Sequence, residues 1–217
     1  MKLKMLITAG PTREKIDDVR YISNYSSGKM GYALAEIANL LGFEVYLVSG
    51  PVSLGKPDNV NFYPVESAEQ MYKQVMDLYS NMDIIIMSAA VADFKPKNPF
   101  IGKIKKNSSN DSLILELEKT KDILYELGTR KKANQTIVGF ALESSFEIEN
   151  GIQKLNKKNC DLIIVNSANK EKSGFGGDFN TITIIDRNGL IEHYQPMLKM
   201  ECAKTIIMKL QKFLNKY

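Results

Sequence analysis

The sequence contains no tryptophan, one histidine and two cysteines among its 217 residues. Because Cys160 and Cys202 lie far apart and in no metal-ligand spacing, we expect reduced thiols, without a disulfide framework or a cysteine-bound metal. The single histidine, His193, follows a strand-like segment, where a structural role is the simplest interpretation. A histidine-based triad and a histidine-ligated metal are therefore disfavoured. Any catalytic chemistry would therefore rely on lysine, asparagine, arginine and carboxylate side chains.

The chain also lacks an apolar run of 18 residues and a signal-peptide pattern, so we expect a cytoplasmic protein without membrane contact. Its net charge of +4, from 29 basic and 25 acidic residues, is mild. Nucleic-acid-binding domains usually concentrate basic residues on one face. The lysine pairs here are scattered along the chain, so we expect an anionic small-molecule ligand and no nucleic acid.

Apolar segments typical of strands alternate with amphipathic segments typical of helices. The continuous apolar run Asp83–Met87 indicates a strand that is covered on both faces. The alternation predicts a doubly wound, Rossmann-like three-layer α/β sandwich with a mainly parallel central sheet, formed by a single domain over residues 1–217. Stretches 94–111 and 170–179, rich in Lys, Asn, Gly and Ser, predict flexible or functional loops. The predicted strands are Lys4–Thr8, Glu44–Ser49, Asn61–Pro64, Ile84–Ser88, Leu113–Leu117, Thr136–Ala141, Leu162–Asn166 and Thr181–Asp186, and the predicted helices are Gly28–Leu41, Ser67–Tyr79, Asp122–Lys131, Glu147–Asn159 and Leu198–Phe213.

The segment Ile7–Gly31 combines a strand, a loop of small polar residues and the start of a helix near Gly28. The first backbone N–H groups of a helix lack partners within it, and the helix dipole favours negative charge there. Gly28 and Gly31 allow a ligand to approach the backbone, while Ser26 and Lys29 add donors and charge. The segment therefore predicts a phosphate-binding loop.

This loop matches neither of the common phosphate motifs. Gly28-Lys29 is followed by Met30 where a Walker A loop has Ser or Thr, and no G-x-G-x-x-G follows the first strand. The second strand ends in Ser49-Gly50-Pro51, without the acidic residue that holds a ribose in dinucleotide folds. A nicotinamide oxidoreductase is one alternative, and these departures disfavour it.

Polar clusters follow the carboxyl ends of four predicted strands, at Thr8–Asn24, Ala89–Phe94, Glu143–Ser145 and Ser167–Phe179. Ligands of open α/β sheets bind outside these strand ends. The convergence predicts one ligand site at this edge of the sheet.

With these segments assembled, the chain resembles the phosphopantothenate–cysteine ligase family of coenzyme A biosynthesis. In many bacteria this ligase is fused behind a flavin-dependent decarboxylase. That half is absent here, so the resemblance implies a stand-alone ligase without FMN, with a separate phosphopantothenoylcysteine decarboxylase as a candidate partner. The matching segments occur in order and span most of the chain: Ile7–Asp17, Val19–Gly31, Ser88–Phe94, Lys103–Lys106 (KIKK), Lys121–Leu124 (KDIL), Val138–Glu143, Lys154 with Lys158, Asp161–Asn166 and Gly174–Asn180.

The resemblance implies a two-step reaction. The carboxylate of 4′-phosphopantothenate attacks the α-phosphate of CTP, pyrophosphate leaves, and an acyl-cytidylate forms. The amine of L-cysteine then attacks the acyl carbon and releases 4′-phosphopantothenoylcysteine and CMP. KIKK and KDIL resemble the bacterial members, which use CTP, whereas eukaryotic members generally use ATP. The resemblance also implies Mg²⁺ bridging the phosphates with few protein ligands, and a homodimer whose site is often completed across the interface.

Three residues would be catalytic by this resemblance. The amide of Asn24 can donate to the oxyanion of the activated carboxylate. Lys103, on a loop, can close over the triphosphate and neutralise developing charge. The guanidinium of Arg20 can hold a carboxylate or a phosphate bidentately. Without the resemblance, Asn24 would be interpreted as a capping residue, and Lys103 and Arg20 as solvated charges on loops.

The remaining assignments concern binding. Asn24, Arg20 and Ala90 would contact the acyl substrate. Lys154 and Lys158 lie four residues apart on one predicted helix face, so an anion between them is our hypothesis. The nucleotide and its phosphates would contact Gly10, Ser26, Gly28, Gly31, Met87, Ser88, Ala89, Asp93, Lys103, Lys121, Asp122, Ile123, Leu124, Phe140, Lys154 and Lys158.

A second alternative is a non-catalytic nucleotide-binding or regulatory domain. Such a domain would bind a nucleotide without releasing pyrophosphate, and it would not need both Asn24 and Lys103. It leaves part of the matching segments unexplained.

Overall fold

The computed structural model describes residues 2–105, 112–168 and 177–214. An eight-stranded sheet forms its centre, and three two-stranded sheets lie outside it. The strands are β1 Lys4–Ala9, β2 Arg13–Lys15, β3 Tyr21–Ser23, β4 Glu44–Ser49, β5 Asn61–Pro64, β6 Ile84–Met87, β7 Phe94–Pro96, β8 Leu117–Lys119, β9 Thr136–Glu143, β10 Leu162–Ser167, β11 Phe179–Asn180, β12 Ile182–Asp186, β13 Ile191–His193 and β14 Met197–Leu198. The helices are α1 Lys29–Leu40, α2 Ala68–Leu78, α3 Ile123–Arg130, α4 Glu147–Lys157 and α5 Lys199–Leu214, with a 3₁₀ turn at Tyr79–Asn81.

The order of the central sheet is β13-β12-β10-β9-β6-β1-β4-β5. From β5 across to β10 every neighbouring pair is parallel, whereas β12 and β13 add an antiparallel edge. The order reverses beside β1, because β4 and β6 flank it on opposite sides. The predicted mainly parallel α/β sheet is confirmed, and its switch point lies where ligands of such sheets bind.

Two separate hydrophobic layers cover the sheet. Alternate strand residues point to opposite faces, so Met5 and Ile7 pack with α1 and α5, whereas Leu6 packs with α2, α3 and α4. Both faces are buried, which is why the strands are continuously apolar. This arrangement confirms the predicted three layers.

The main departures from prediction lie outside the central sheet. The predicted strand Leu113–Leu117 is wrong in position: the observed strand is β8, which pairs only with β7 in a separate ribbon. Ile114 is 87% exposed, so its apolar character reflects no core packing. The loop after β1 contains the hairpin β2–β3, which was not predicted because strands of three residues are too short to show a periodic pattern.

Parts of the two predicted loops lie outside the described residues, namely 106–111, which includes Lys106, and 169–176. Across the described residues, no helix has both the length and the apolar surface needed to span a bilayer. His193 ends β13, where its Nδ1 lies 2.9 Å from Thr183 Oγ1 on the neighbouring strand.

Candidate functional site

Two adjoining cavities lie across the carboxyl ends of the parallel strands. The helix cavity, about 290 Å³, is at the N-terminus of α1, and the lysine cavity, about 500 Å³, surrounds Lys154 and Lys158. They form one continuous cleft because they share five lining residues: Ala89, Val91, Asp93, Phe140 and Lys154. Two of the four predicted polar clusters contribute to the cleft, through Asn24 and through residues of Ala89–Phe94. Glu143–Ser145 and the described residues of Ser167–Phe179 line neither cavity.

The start of α1 forms one wall of the helix cavity and has no room for a side chain at Gly28 or Gly31. Gly28 caps the helix with φ +78°, and a Cβ there would lie 2.6 Å from Val52 Cγ1. A Cβ on Gly31 would lie 2.5 Å from Ala9 Cβ on β1. Only glycine permits this approach, so the unpaired N–H groups of the first turn stay accessible beside the strand end.

The other two predicted cradle residues occupy different positions. Ser26 lines the helix cavity, and its Oγ accepts a 3.3 Å hydrogen bond from Gly28 N. Gly10, with φ +74°, does not line the cavity, but its Cα lies 3.4 Å from where a Gly28 Cβ would be. Gly10 therefore supports the cradle from behind.

Asn24 and Ala90 lie together at the edge of the helix cavity. Asn24 Nδ2 donates to Ala90 O at 3.0 Å, and Ala90 N donates to Gly10 O at 2.9 Å. One N–H of the exposed Asn24 amide is thereby used for orientation. The second N–H remains for a ligand.

Arg20 and Lys103 line neither cavity. Arg20 pairs with the buried carboxylate of Asp17, and its Nη2 also donates to Ile104 O at 3.1 Å. Asp17 Oδ2 accepts from Ile104 N at 3.0 Å. The Arg20 guanidinium holds the pKa of the Asp17 carboxyl well below its usual range. This Asp17–Arg20 clamp fixes the backbone segment that carries Lys103.

Lys154, within α4, and Lys158, directly after it, have separate partners. Lys154 Nζ donates to Phe140 O at 2.7 Å, and burial lowers the pKa of its ammonium group. Lys158 pairs with Asp122, whose carboxylate also caps α3 by accepting from Tyr125 N at 3.0 Å. Lys158 thus already has a carboxylate partner, and the hypothesis of one anion shared by both lysines stays a prediction.

The rest of the KDIL segment forms a wall of the lysine cavity. The Lys121 ammonium lies 3.2 Å from Glu69 Oε1 and 4.3 Å from the centre of the Tyr72 ring, so it turns towards α2. Ile123 and Leu124 are buried in the core while they line the cavity. This wall therefore combines apolar surface from Ile123 and Leu124 with charge from Lys121 and Asp122.

The strand end after β6 contributes to the walls of both cavities. Met87 lines the lysine cavity, and Ser88 lines the helix cavity with its Oγ donating to Thr8 O at 2.5 Å. Ala89 and the exposed Asp93 line both. Within the described ranges no three His, Cys, Asp or Glu side chains are grouped as metal ligands. Asp93 and Asp122 are the carboxylates that line the cleft, and one or two carboxylates beside phosphates are a typical ligand set for Mg²⁺.

Several lining residues were not among the predicted contacts, and three of them are buried polar side chains. Asn166, Asn180 and Lys199 line the helix cavity, and each is at most 8% exposed. The Oδ1 atoms of both asparagines have no hydrogen-bond partner among the described residues. Asn166 ends a buried parallel strand, which is a usable sequence signal. Lys199 begins α5, and only the packing of α5 beside α1 brings it to the cavity.

The switch point, the two-sided burial and the cleft together define a doubly wound α/β domain with a ligand site at the carboxyl edge of its sheet. Residues 1–214 match the family model of the DNA/pantothenate metabolism flavoprotein C-terminal domain, and the chain belongs to this family. The predicted resemblance is thereby confirmed.

Named relatives and a solved structure agree with this membership. The coenzyme A biosynthesis bifunctional protein CoaBC of Bacillus subtilis (strain 168) is 46% identical over 207 residues, covering 95% of this chain and 50% of that protein. A cysteine/cysteine sulfinic acid decarboxylase from an unknown prokaryotic organism is 46% identical over 208 residues, covering 95% and 57%. The crystal structure of the C-terminal domain of a CoaBC protein has a TM-score of 0.84 at 40% identity, covering 99% of this chain and 97% of that one. The chain spans about half the length of the curated relatives it matches.

Proposed function

We propose that this chain is a phosphopantothenate–cysteine ligase of coenzyme A biosynthesis that uses CTP. The proposal rests on the continuous cleft at the carboxyl ends of the strands. It is supported by the similarity of the chain to a coenzyme A biosynthesis protein. The N-terminus of α1 lines one end and cationic side chains line the other, which fits a ligand with phosphates and a flat base.

The proposed first step forms the acyl-cytidylate. A carboxylate oxygen of 4′-phosphopantothenate bonds to the α-phosphorus of CTP as the bond to pyrophosphate breaks. The N-terminal N–H groups of α1, with Gly28 and Ser26, would hold the phosphates. Lys103 lines neither cavity, so its long side chain would extend from the clamped segment into the cleft to neutralise charge on the leaving group. Mg²⁺ bound to the phosphates would neutralise further charge beside Asp93.

The proposed second step transfers the acyl group. The amine of L-cysteine attacks the acyl carbon, loses a proton, and CMP leaves with the electron pair of the broken C–O bond. The free N–H of Asn24 would donate to the oxyanion that develops on this carbon. Its bond to Ala90 O fixes the amide before substrate binds, and a larger side chain than Ala90 would crowd the acyl group.

The base and ribose would occupy the lysine cavity. Ile123, Leu124 and Phe140 supply apolar surface, and Lys154 and Lys158 supply cationic ends. The preference for CTP rests on the KIKK and KDIL resemblance. A homodimer and contact with a separate phosphopantothenoylcysteine decarboxylase belong to the same proposal.

The direct test is pyrophosphate release with 4′-phosphopantothenate, L-cysteine, Mg²⁺ and either CTP or ATP. We expect release that requires phosphopantothenate, is faster with CTP, and falls by about 100-fold in Asn24→Asp and Lys103→Gln. Lys97→Gln is the matched control, since Lys97 is an exposed lysine paired with Glu116 outside the cleft.

Each other result has a defined meaning. Release only with ATP would retain the ligase and reject CTP. No release with either nucleotide, from a folded chain that binds one, would reject the enzyme and favour a binding domain. Release of CO₂ from cysteine or its sulfinic acid without nucleotide would favour the activity in the other relative's name.

A further inference from the structure

A third cavity, of about 400 Å³, lies between α1 and α5 beside the helix cavity. Lys29 and Lys199 line both cavities, so the two spaces adjoin at these side chains. The lining residues come mainly from α1 and from the segment 198–200 at the start of α5. We call this space the α1–α5 cavity. The proposed function has assigned no ligand to it, and the amine substrate has been assigned no site.

The charged side chains that line the α1–α5 cavity balance one another. Lys29 and Lys199 are the cations, and Glu36 and Asp178 are the carboxylates. Lys29 Nζ lies 2.5 Å from Asp178 Oδ1. A polyanion would meet two carboxylates in this cavity, which is unfavourable. The lining therefore favours a ligand that carries one positive and one negative charge.

Lys199 is the buried member of this set. It is 8% exposed, and its Nζ donates to Gly177 O at 2.5 Å, which is the one hydrogen bond of its ammonium group among the described residues. Burial, and then the charge of Lys29, lowers the pKa of Lys199, while Asp178 offsets part of this effect. An ammonium group has three donors, so Lys199 can also bind the carboxylate of a ligand.

The helix cavity next to Lys199 contains acceptors that lack a donor. Asn180 is 3% exposed, and its Nδ2 donates to Met30 Sδ at 3.3 Å. Its Oδ1, like that of Asn166, has no hydrogen-bond partner within the described part of the chain. A buried acceptor left unpaired costs about 1–3 kcal/mol. An amine or ammonium group in the helix cavity would supply the missing donor.

The rest of the α1–α5 cavity is an apolar wall formed by Tyr32, Ala33, Leu54, Leu198 and Met200. A ligand with two opposite charges and a small apolar side chain fits this combination, and L-cysteine is the substrate of the proposed reaction with that chemistry. We propose that L-cysteine binds here, with its carboxylate on Lys199, its amine directed to Asn180, and its thiol against the apolar wall. This inference rests on the proposed function, because it directs the attacking amine into the cavity that Asn24 lines.

The first test separates the two half-reactions. Lys199→Met removes the charge and keeps the length of the side chain. We expect KM for L-cysteine to rise about tenfold or more, while single-turnover pyrophosphate release without L-cysteine keeps its wild-type rate. Lys199→Arg keeps the charge and should restore most of the affinity. Lys56→Met is the matched control, since Lys56 is exposed and lines neither the helix cavity nor the α1–α5 cavity.

Two results with Lys199→Met would overturn the proposal. One is an unchanged KM for L-cysteine. The other is a loss of pyrophosphate release that matches the loss of cysteine transfer, because Lys199 would then serve the nucleotide or the fold. If Lys199→Met does not fold, the second test decides.

The second test fills the α1–α5 cavity from its exposed wall. Gly55 lines this cavity, and an added Cβ there meets no atom within 4 Å, so a side chain is tolerated at the backbone. We expect Gly55→Phe to raise KM for L-cysteine about tenfold by occupying space that the ligand needs, and Gly55→Ser to stay close to wild type. Equal KM values for these two variants would reject the cavity as the cysteine site.

Calorimetry with L-cysteine as the probe distinguishes failure of this inference from failure of the proposed function. Binding of L-cysteine that Lys199→Met weakens, in a protein that releases no pyrophosphate with either nucleotide, would reject only the proposed function. Ligase turnover whose KM for L-cysteine ignores both Lys199→Met and Gly55→Phe would reject only this inference.

Discussion

Gly31 shows how one missing side chain determines the geometry of the cleft. It lies in the first turn of α1, where an added Cβ would be 2.5 Å from Ala9 Cβ and 2.9 Å from Ser88 Oγ. Ala9 belongs to the central strand β1, which cannot move independently of the sheet. The helix start can therefore meet the strand end only through glycine.

We predict that Gly31→Ala destabilises the fold by about 2 kcal/mol, since α1 must move away from β1. Nucleotide binding should weaken as well, because the first-turn N–H groups move with the helix. Urea unfolding and calorimetry measure the two effects. Gly55→Ala is the control, since a Cβ there meets no atom within 4 Å. Equal stability of the two variants would contradict the packing argument.

At the scale of elements, the Asp17–Arg20 clamp joins two parts of the chain that lie 84 residues apart. The turn before β3 supplies Asp17 and Arg20, and the segment after β7 supplies Ile104. Asp18 adds a second link by accepting from Gly102 N at 2.8 Å. The position of Lys103 therefore depends on a distant turn.

We predict that stability falls as pH is lowered through the acidic range, because the pKa of Asp17 is depressed in the folded state. A carboxyl whose pKa is depressed by folding stabilises the folded state at pH values above its unfolded-state pKa, about 4. It loses that stabilisation as the pH falls and the folded carboxyl becomes protonated. Thermal melts from pH 7 to about pH 3 should show a wild-type advantage over Asp17→Asn that shrinks in acid. A difference in melting temperature that stays constant with pH would exclude ionisation of Asp17 in the clamp as the cause of the wild-type advantage. The variant should also lower ligase turnover by releasing Lys103.

The regular elements were largely predictable from local pattern. The predicted bounds of Glu44–Ser49 and Asn61–Pro64 match the observed strands. The predicted helix Ser67–Tyr79 is observed as α2, with Ser67 as its cap, whose side chain accepts from Gln70 N. These segments have strong periodicity or recognisable capping. The hairpin β2–β3 and the ribbon β7–β8 have neither, because they pair outside the core.

At the scale of the whole molecule, the described surface carries apolar side chains that a monomer would expose to water. Ile101 and Tyr25 are almost fully exposed, and Ile114 is 87% exposed. A contiguous exposed patch of apolar side chains typically marks an interaction surface. The proposed homodimer would bury side chains of this kind, and Ile101 is a direct test of it.

We predict a dimer by sedimentation velocity, and a shift towards monomer in Ile101→Asp, because a charge would replace apolar contact at the interface. Leu40→Asp is the control. Leu40, like Ile101, is an exposed aliphatic side chain, at 76%, but it lies at the end of α1. A wild-type monomer at micromolar concentration, or equal dissociation of both variants, would reject this interface.

By itself, the sequence determined the alternation of elements, the parallel sheet with two buried faces, and the strand ends at which polar residues gather, because these follow from local periodicity and composition. It also indicated that Asn24 and Ala90 belong to one site. The tertiary structure alone decided that Lys199 and Asn180 reach the helix cavity, that Asp122 is the partner of Lys158, and that Asp17 and Arg20 hold the segment of Lys103. These contacts join residues far apart in the chain, and no local pattern encodes the packing that creates them, such as that of α5 beside α1 for Lys199.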